Sequence, residues 1–252
     1  MLFYFTATGN CLYVAKKIES KIYSIPQELK KDNLNYQANQ IGIVSPIYAG
    51  ELPKAVRRFI EKANFETDYF YLLLTYGSND SVATSWSKNF CQTNNLKVDY
   101  IQTIKMVDNY LPAFDMEKEI ALDKKVDEQL KKAKTNLSNQ VHFIPEPDDE
   151  AKKLYEQVQQ KFKEQPYLNN GETIIMSNRC VGCNICKQVC PIGNIEIVDG
   201  KAKRLNSKCD FCLACVHNCP FKAIDLKEDK NNQARYRHPF VSLKEIVKAN
   251  HQ

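Results

Sequence analysis

Eight cysteines in two identical runs constrain this 252-residue chain more than any other feature. Both runs have the pattern C-x2-C-x2-C-x3-C-P, and each cysteine of the second run follows its counterpart by 29 residues. The first cysteine block contains Cys180, Cys183, Cys186 and Cys190, and the second cysteine block contains Cys209, Cys212, Cys215 and Cys219. Spacing this tight places several sulfur atoms on one short loop, which is typical of metal binding or of a disulfide framework.

Three interpretations of these cysteines are possible: disulfides, structural zinc and iron–sulfur clusters. Disulfides are disfavoured because the apolar start, residues 1–5, has no basic leader and is interrupted at Thr6, which argues against secretion. Structural zinc usually uses pairs of C-x2-C motifs about 15–20 residues apart, without a third cysteine in register or a closing Cys-Pro. The remaining interpretation is a pair of [4Fe–4S] clusters, because the pattern is that of two-cluster bacterial ferredoxins.

Residues 172–227 resemble these ferredoxins, in which the cysteine before the proline binds the other block's cluster. The resemblance implies that cluster 1 is held by Cys180, Cys183, Cys186 and Cys219, and cluster 2 by Cys209, Cys212, Cys215 and Cys190. Apolar residues between the ligands, such as Val181, Val189 and Val216, are expected to keep water away from the clusters. His217 is expected at the surface or just outside the ligands.

In the N-terminal half, continuous apolar runs alternate with segments whose apolar residues recur at helical spacing. Apolar runs at 2–5, 22–25, 41–48, 69–76 and 98–106 predict five buried strands. Helical stripes at 11–22 and 52–63 lie between them. The alternation predicts an α/β fold, a doubly wound parallel sheet of five strands with helices on both faces. A ligand is then expected beyond the carboxyl ends of the strands.

The first predicted strand leads directly into a polar loop and a helix. The loop consists of Thr6, Ala7, Thr8, Gly9, Asn10 and Cys11. With one glycine and no lysine, it is neither a dinucleotide fingerprint nor a P-loop. Hydroxyl, amide and backbone N–H groups at a helix N-terminus indicate an anion site without a cationic side chain. The alternative is that Thr8 or Asn10 only caps the helix.

This loop resembles the T-x-T-G-N-[ST] phosphate loop of flavodoxins, and residues 6–11 are called the phosphate loop below. The resemblance implies FMN at the point where the strand order reverses. Two further loops would grip the flavin ring: Ser45, Pro46, Ile47, Tyr48, Ala49 and Gly50 after the third strand, and Thr75, Tyr76 and Gly77 after the fourth. Cys11 stands where flavodoxins commonly have Ser or Thr, so a weaker thiol donor replaces a hydroxyl.

The whole chain resembles a family of flavodoxin–ferredoxin fusions of anaerobic microbes. The resemblance implies FMN, two [4Fe–4S] clusters, electron transfer and redox-protein partners. The expected division is a flavodoxin-like domain at 1–115, a helical connector at 116–170, a small α+β ferredoxin domain at 171–228 and a tail at 229–252. The amphipathic stretches 116–141 and 149–164 are expected to form helices that pack against both domains.

No constellation of acid, base and nucleophile stands out, which favours an electron carrier over an enzyme. Two alternatives stay open. One is a flavin-dependent reductase of a small-molecule oxidant, fed by the clusters. The other is a ferredoxin whose flavodoxin-like half is only a docking module.

Charge does not favour a nucleic-acid partner. The net charge of +5 lies in residues 171–252, which have 13 Lys and Arg against 8 Asp and Glu. Residues 1–110 have 12 against 10, and residues 111–170 have 10 against 12. Thiolates on iron would offset the basic excess, so no nucleic acid is expected. No apolar run approaches about 18 residues, so we expect a cytoplasmic protein without a membrane span.

Overall fold

A parallel sheet forms the centre of the N-terminal half of this computed structural model, which describes residues 1–227 and 234–252. Residue 228 of the predicted ferredoxin domain and residues 229–233 of the predicted tail lie outside the described residues. The first seven strands are β1 (Leu2–Tyr4), β2 (Ile22–Ser24), β3 (Asn35–Gln37), β4 (Gln40–Pro46), β5 (Asn64–Glu66), β6 (Tyr69–Tyr76) and β7 (Tyr100–Lys105).

Five of these strands form the sheet in the order β2-β1-β4-β6-β7, and every pairing is parallel. Counted along the chain, this order is 2-1-3-4-5, the flavodoxin-like order. The five predicted strands and the predicted fold class are therefore confirmed. Strands β3 and β5, which the apolar pattern did not predict, pair with each other in a separate small parallel sheet.

Both faces of the sheet are buried, which explains why its strands are almost continuously apolar. In β6, Tyr71 and Leu73 belong to one hydrophobic core, whereas Leu72 and Leu74 belong to the core on the opposite face. This alternation follows from the two-residue period of a strand. The sheet is therefore the middle layer of three.

Seven helices and a short 3-10 helix follow or separate these strands. They are α1 (Asn10–Ile18), α2 (Ile25–Glu28), α3 (Lys54–Lys62), α4 (Ala83–Thr93), α5 (Met116–Ala121), α6 (Val126–Ser138), α7 (Asp149–Glu164) and the 3-10 helix (Pro166–Leu168). Helices α1 and α6 contribute to the core on one face, and α3 and α4 to the core on the other.

The prediction of one continuous helix over 116–141 is wrong. Helix α5 stops before Leu122, which takes an extended conformation and is 53% exposed. Asp123 then accepts a hydrogen bond from the backbone N–H of Lys125, a local turn that competes with the helix. The apolar residues of α6 pack on the sheet rather than between two domains.

The C-terminal module is a structural repeat. It contains β8 (Ile174–Met176), α8 (Ile185–Gln188), β9 (Ile195–Val198), β10 (Lys201–Arg204), α9 (Ala214–His217) and β11 (Ile224–Leu226), and the chain ends with α10 (Leu243–Asn250). Strands β8 and β11 pair antiparallel, as do β9 and β10. Helix α9 follows α8 by the same 29 residues that separate the cysteine blocks. The module has the small α+β form predicted from the cysteine pattern.

Helix α10 lies within the segment that was expected to be a tail. Ser242 and Glu245 form a reciprocal capping box at its start. Ile246 and Ala249 are buried in the same core as α1. The C-terminal segment therefore packs on the flavodoxin-like half.

Candidate cofactor sites

The structure brings together the four cysteines predicted for cluster 1. Cys180, Cys183, Cys186 and Cys219 all line one small cavity. The pKa of the Cys186 thiol is raised to about 11, mainly by burial and to a smaller extent by the neighbouring thiols of Cys180 and Cys219. Iron binds the thiolate, so a bound cluster would have to displace these protons.

The four cysteines predicted for cluster 2 also lie together. Burial raises the pKa of Cys215, and the nearby thiols of Cys212, Cys209 and Cys190 contribute to the same shift. Burial likewise raises the pKa of Cys212, and the nearby thiols of Cys209 and Cys190 contribute to the same shift. The grouping is crossed, because Cys190 of the first block lies with three cysteines of the second.

Backbone N–H groups hydrogen-bond to the outer cysteines of both blocks. Ala202 donates to Cys180 at 3.3 Å, Phe211 to Cys209 at 3.3 Å, Asn194 to Cys190 at 3.2 Å and Ala223 to Cys219 at 3.2 Å. Such bonds favour the thiolate and tune the potential of a cluster. A cubane spreads its four thiolates over four irons. Within residues 1–227 and 234–252, no three His, Cys, Asp or Glu side chains lie close enough to hold a single metal ion.

One expectation about the surroundings of the clusters is wrong, and another is narrowed to one of its alternatives. Val181 lines the cluster 1 cavity but is 58% exposed, so it does not keep water away. His217 was expected at the surface or just outside the ligands, and its burial excludes the surface. Its Nδ1 accepts a hydrogen bond from the backbone N–H of Tyr236 at 3.0 Å, so its Nε2 donates to the carbonyl of Asn109 at 2.8 Å. His217 therefore links α9 to two other segments.

A cavity of about 820 Å³ lies at the carboxyl ends of the sheet strands, within the size range of ligand pockets. The predicted FMN residues that line it are Thr6, Ala7, Thr8, Asn10, Cys11, Pro46, Ile47, Tyr48, Ala49, Gly50, Thr75, Tyr76 and Gly77. Two of the predicted FMN residues, Ser45 and Gly9, do not line the cavity. Ser45 is fully buried and donates to the carbonyl of Pro46, and Gly9 faces the C-terminal segment, where a Cβ atom would lie 2.9 Å from His238.

Neither Thr8 nor Asn10 caps helix α1, so simple capping does not explain the phosphate loop. The N-terminus of α1 has no side-chain capping hydrogen bond. Thr8 Oγ1 instead accepts from the Asn109 amide at 2.6 Å, and the Asn10 amide donates to the carbonyl of Val107 at 3.2 Å. The first N–H groups of a helix have no intrahelical acceptor, so this end of α1 suits an anion.

Cys11 is a buried thiol rather than a reactive thiolate. Its sulfur lies 3.1 Å from Thr75 Oγ1, and burial raises its pKa to about 12. A neutral thiol is a weak nucleophile, which argues against a redox role for Cys11 alone. The contact with Thr75 connects the phosphate loop to the loop that follows β6.

The loop after β4 is a tight turn. Tyr48 and Glu51 exchange two backbone hydrogen bonds, and Ala49 and Gly50 between them have φ values of 52° and 84°. Gly50 suits this position because of its positive φ, and because a Cβ atom there would lie 2.8 Å from the Tyr155 ring. Burial raises the pKa of Tyr48, as do the nearby thiols of Cys212 and Cys11. Tyr48 thus lies near both the phosphate loop and the second cysteine block.

The sequence pattern did not predict the far wall of the cavity. Helix α7 buries no residue completely, and its apolar stripe of Leu154, Val158 and Phe162 lines the cavity instead of packing between two domains. Residues 210–213 of the second cysteine block line the same cavity. The stripe on α7 was visible in the sequence, but its period alone does not distinguish a cavity wall from a core contact.

Asp210 attaches the second cysteine block to the flavodoxin-like half. Its carboxylate accepts from the backbone N–H of Ala55, in the first turn of α3, at 3.2 Å. Lys54 donates to the carbonyl of Cys209 at 3.3 Å. An aspartate at a helix N-terminus satisfies an otherwise unpaired donor. The two partners lie 155 residues apart, so no local pattern could have predicted the contact.

A family model described as a 4Fe-4S dicluster domain matches residues 172–220, which include all eight cysteines of the two blocks. The C-terminal module is therefore a dicluster iron–sulfur domain. No curated protein matches the chain.

Among solved structures, the metal-soaked flavodiiron core of Flv1 from Synechocystis sp. PCC6803 is similar at 13% identity and a TM-score of 0.30. The match covers 54% of this chain and 36% of the Flv1 core. This chain therefore spans little more than a third of the length of the Flv1 core. The fold assignment rests on the strand order. In the described part of the chain, no helix combines the length and apolar character needed to cross a bilayer.

Proposed function

We propose that the protein relays electrons between an FMN in the 820 Å³ cavity and two [4Fe–4S] clusters, and between the clusters and external redox proteins. One observation carries the proposal: the phosphate loop, the two ring loops and residues 210–213 of the second cysteine block all line the same cavity. A ligand in this cavity would lie beside the cluster 2 cysteines.

The residues of the cavity fit the parts of FMN. The uncapped start of α1 suits the phosphate. Tyr48 and Tyr76 supply aromatic side chains at the ends of β4 and β6, and the apolar stripe of α7 offers a wall for the flavin ring. These features support the assignment of the three loops as FMN-binding.

FMN exchanges one or two electrons and each cluster exchanges one, so together they connect two-electron and one-electron partners. The chain's own residues fix where this happens. Asp210 holds the second cysteine block against α3, and the apolar side chains of α7 exclude water from one side of the cavity. Cys183 of the cluster 1 set is exposed, which makes that side of the module the exchange point for an external partner.

We also propose that the chain is divided into segments 1–115, 116–170, 171–228 and 229–252, with α6 belonging to the first of them. Leu130, Ala133 and Leu137 of α6 are buried in the core that contains Tyr71 and Tyr100 of the sheet. This packing favours assigning α6 to the flavin-binding domain.

A flavin-dependent reductase remains the second candidate. Tyr167, Leu168 and Asn169, within and after the 3-10 helix, also line the cavity, beyond the three flavin loops. A small oxidant between these residues and the flavin would be reduced by electrons from the clusters. Turnover with candidate oxidants, under conditions where electrons enter through the clusters, would favour this function.

Anaerobic purification followed by flavin, iron and sulfide quantitation tests the main proposal. We expect one FMN, about eight irons and about eight sulfides per chain. Thr8→Val should lower the flavin content, whereas Thr93→Val, on the exposed end of α4, should not. Full cluster content without any flavin would contradict the proposal and favour the docking-module alternative.

A further inference from the structure

The phosphate loop is held from outside by the C-terminal part of the chain. Three consecutive carbonyls each accept a hydrogen bond: Thr6 from the Asn250 amide at 2.8 Å, Ala7 from the Asn218 amide at 3.3 Å and Thr8 from the His238 backbone N–H at 2.8 Å. All three donor residues are buried. Buried hydrogen bonds are shielded from competing water, so they restrict the loop strongly.

These hydrogen bonds bring the loop close to the cysteine blocks. Asn218 directly precedes Cys219, and the Asn250 amide also donates to the carbonyl of Val189, which precedes Cys190, at 3.2 Å. Val189 and Asn218 are equivalent positions of the 29-residue repeat. The closing cysteine of each block therefore lies next to a residue that contributes to holding the phosphate loop.

The C-terminal part also contacts the side chains of the loop, directly through Tyr236 and indirectly through Asn109. Tyr236 donates its hydroxyl to Asn10 Oδ1 at 2.7 Å. Asn109 connects Thr8 to His217, because its amide donates to Thr8 Oγ1 and its carbonyl accepts from the imidazole. Both the backbone and the side chains of the loop thus depend on residues far from it in sequence.

The geometry of the peptide bond gives these contacts a consequence for binding. In a trans peptide, the carbonyl of one residue and the N–H of the next point in opposite directions. Holding the carbonyls of Thr6 and Ala7 on the outer side therefore directs the N–H groups of Ala7 and Thr8 towards the opposite side. Ala7 and Thr8 line the cavity, so their N–H groups are available there to an anion.

We propose that the C-terminal part, through Asn218, Tyr236, His238 and Asn250, pre-organises the phosphate loop, so that recognition of the FMN phosphate depends on the module that carries the clusters and on the segment that follows it. This inference rests on the proposed function. A loop that is already ordered loses less conformational entropy on binding, which raises affinity. Because coupling is reciprocal, bound FMN also stabilises the attachment of the module.

The test compares FMN with riboflavin, which lacks the phosphate, on the full chain with its clusters intact and its flavin removed. We expect Asn250→Leu to raise the Kd for FMN about tenfold, because it removes the hydrogen bonds to the carbonyls of Thr6 and Val189. Tyr236→Phe should raise it about threefold, because it removes only the hydrogen bond to Asn10. The Kd for riboflavin should change less than about twofold. Lys248→Leu, on the exposed side of α10, is the matched control and should change neither.

The outcomes distinguish a failure of this inference from a failure of the proposal that the phosphate loop binds FMN. If both variants keep the wild-type preference for FMN over riboflavin, or weaken both ligands equally, pre-organisation by the C-terminal part is wrong. If the wild-type protein binds flavins without any preference for FMN, the phosphate-loop assignment itself is wrong. Tyr236→Phe removes only one oxygen, so it tests the inference even if Asn250→Leu does not fold.

Discussion

The two cysteine blocks have identical spacing but different surroundings. In the first block, the residue after the leading cysteine is Val181, which is 58% exposed. Its equivalent in the second block is Asp210, which accepts a hydrogen bond from the first turn of α3. Cys183 is exposed, whereas its equivalent Cys212 lines the large cavity and packs against the cores on both faces of the sheet. Spacing sets the shape of each block, and the residues between the ligands determine what it contacts.

The backbones of the two blocks have positive φ at the same three positions, but the residues at these positions differ. Gly182, Asn184 and Gly193 have positive φ in the first block, and their equivalents are Phe211, Leu213 and Lys222, with φ values of 49°, 58° and 47°. A non-glycine residue in this region costs about 1–2 kcal/mol. Phe211 and Leu213 line the large cavity, where their side chains offset this cost by packing. Lys222 is exposed, so its strain has no such compensation.

Removing one central ligand from each block should have the largest effect. Cys183→Ala should alter or abolish the cluster 1 signal and leave flavin content unchanged. Cys212→Ala should alter the cluster 2 signal and also lower flavin content, because Cys212 lines the cavity. EPR of the reduced proteins, with iron, sulfide and flavin quantitation, distinguishes the two. If both variants alter the same cluster signal, the assignment of Cys183 and Cys212 to separate clusters is wrong.

Acid should destabilise the segment that connects the second block to the phosphate loop. The pKa of His238 is lowered from 6.5 to about 4, mainly by burial and to a smaller extent by the positive charge of the nearby Lys16. The unfolded chain therefore takes up this proton at a higher pH than the folded chain does. The stabilisation is complete above pH 6.5 and is lost as pH falls towards 4, by at most about 3 kcal/mol.

His238→Asn should therefore show a smaller fall in Tm between pH 7.5 and pH 5 than the wild-type protein does. The asparagine oxygen can replace Nδ1 as the acceptor for the Phe240 N–H, which limits other losses. Equal falls in the two proteins would mean that His238 does not carry the pH dependence.

Exchanging the residues at the equivalent positions 181 and 210 sharpens the comparison. Asp210→Val should lower the free energy of unfolding by about 1–2 kcal/mol, because the first turn of α3 loses its acceptor. It should also slow electron transfer between flavin and cluster 2. Val181→Asp should change stability by less than about 0.5 kcal/mol, because the side chain is exposed. Denaturant unfolding and flash photolysis measure the two effects, and equal effects of the two substitutions would contradict the attachment role of Asp210.

The smallest expected effect concerns the strained Lys222. Lys222→Gly should stabilise the protein by up to about 1 kcal/mol, since glycine accepts a positive φ but gains entropy in the unfolded chain. Lys187→Gly, in α8, should destabilise it by a similar amount. Thermal unfolding of both variants is the measurement, and a lower Tm for Lys222→Gly would show that the backbone there is not strained.

The sequence predicts the local features of this molecule well. The apolar runs predict all five sheet strands, because a buried parallel strand must be apolar on both faces. The cysteine spacing predicts the repeat of the C-terminal module. The break between α5 and α6 was missed because the polar turn at Asp123 overrides an apolar helical period that continues on both sides.

The contacts between the two halves could not be predicted in this way. Asp210 meets Ala55 across 155 residues, and Asn250 meets Thr6 across 244. The burial of His217 could not be predicted either, because neither its position beside Cys219 nor its residue type indicates that Tyr236 and Asn109 enclose it. Such contacts depend on how the halves pack, which a local period does not encode.

The most direct test of the central claim is to reduce the flavin by a light flash in the anaerobic protein and to identify by freeze-quench EPR which cluster is reduced first. The account predicts that the cluster of Cys190, Cys209, Cys212 and Cys215 accepts the electron first, at a rate independent of protein concentration. First reduction of the other cluster, or a rate proportional to protein concentration, would contradict it.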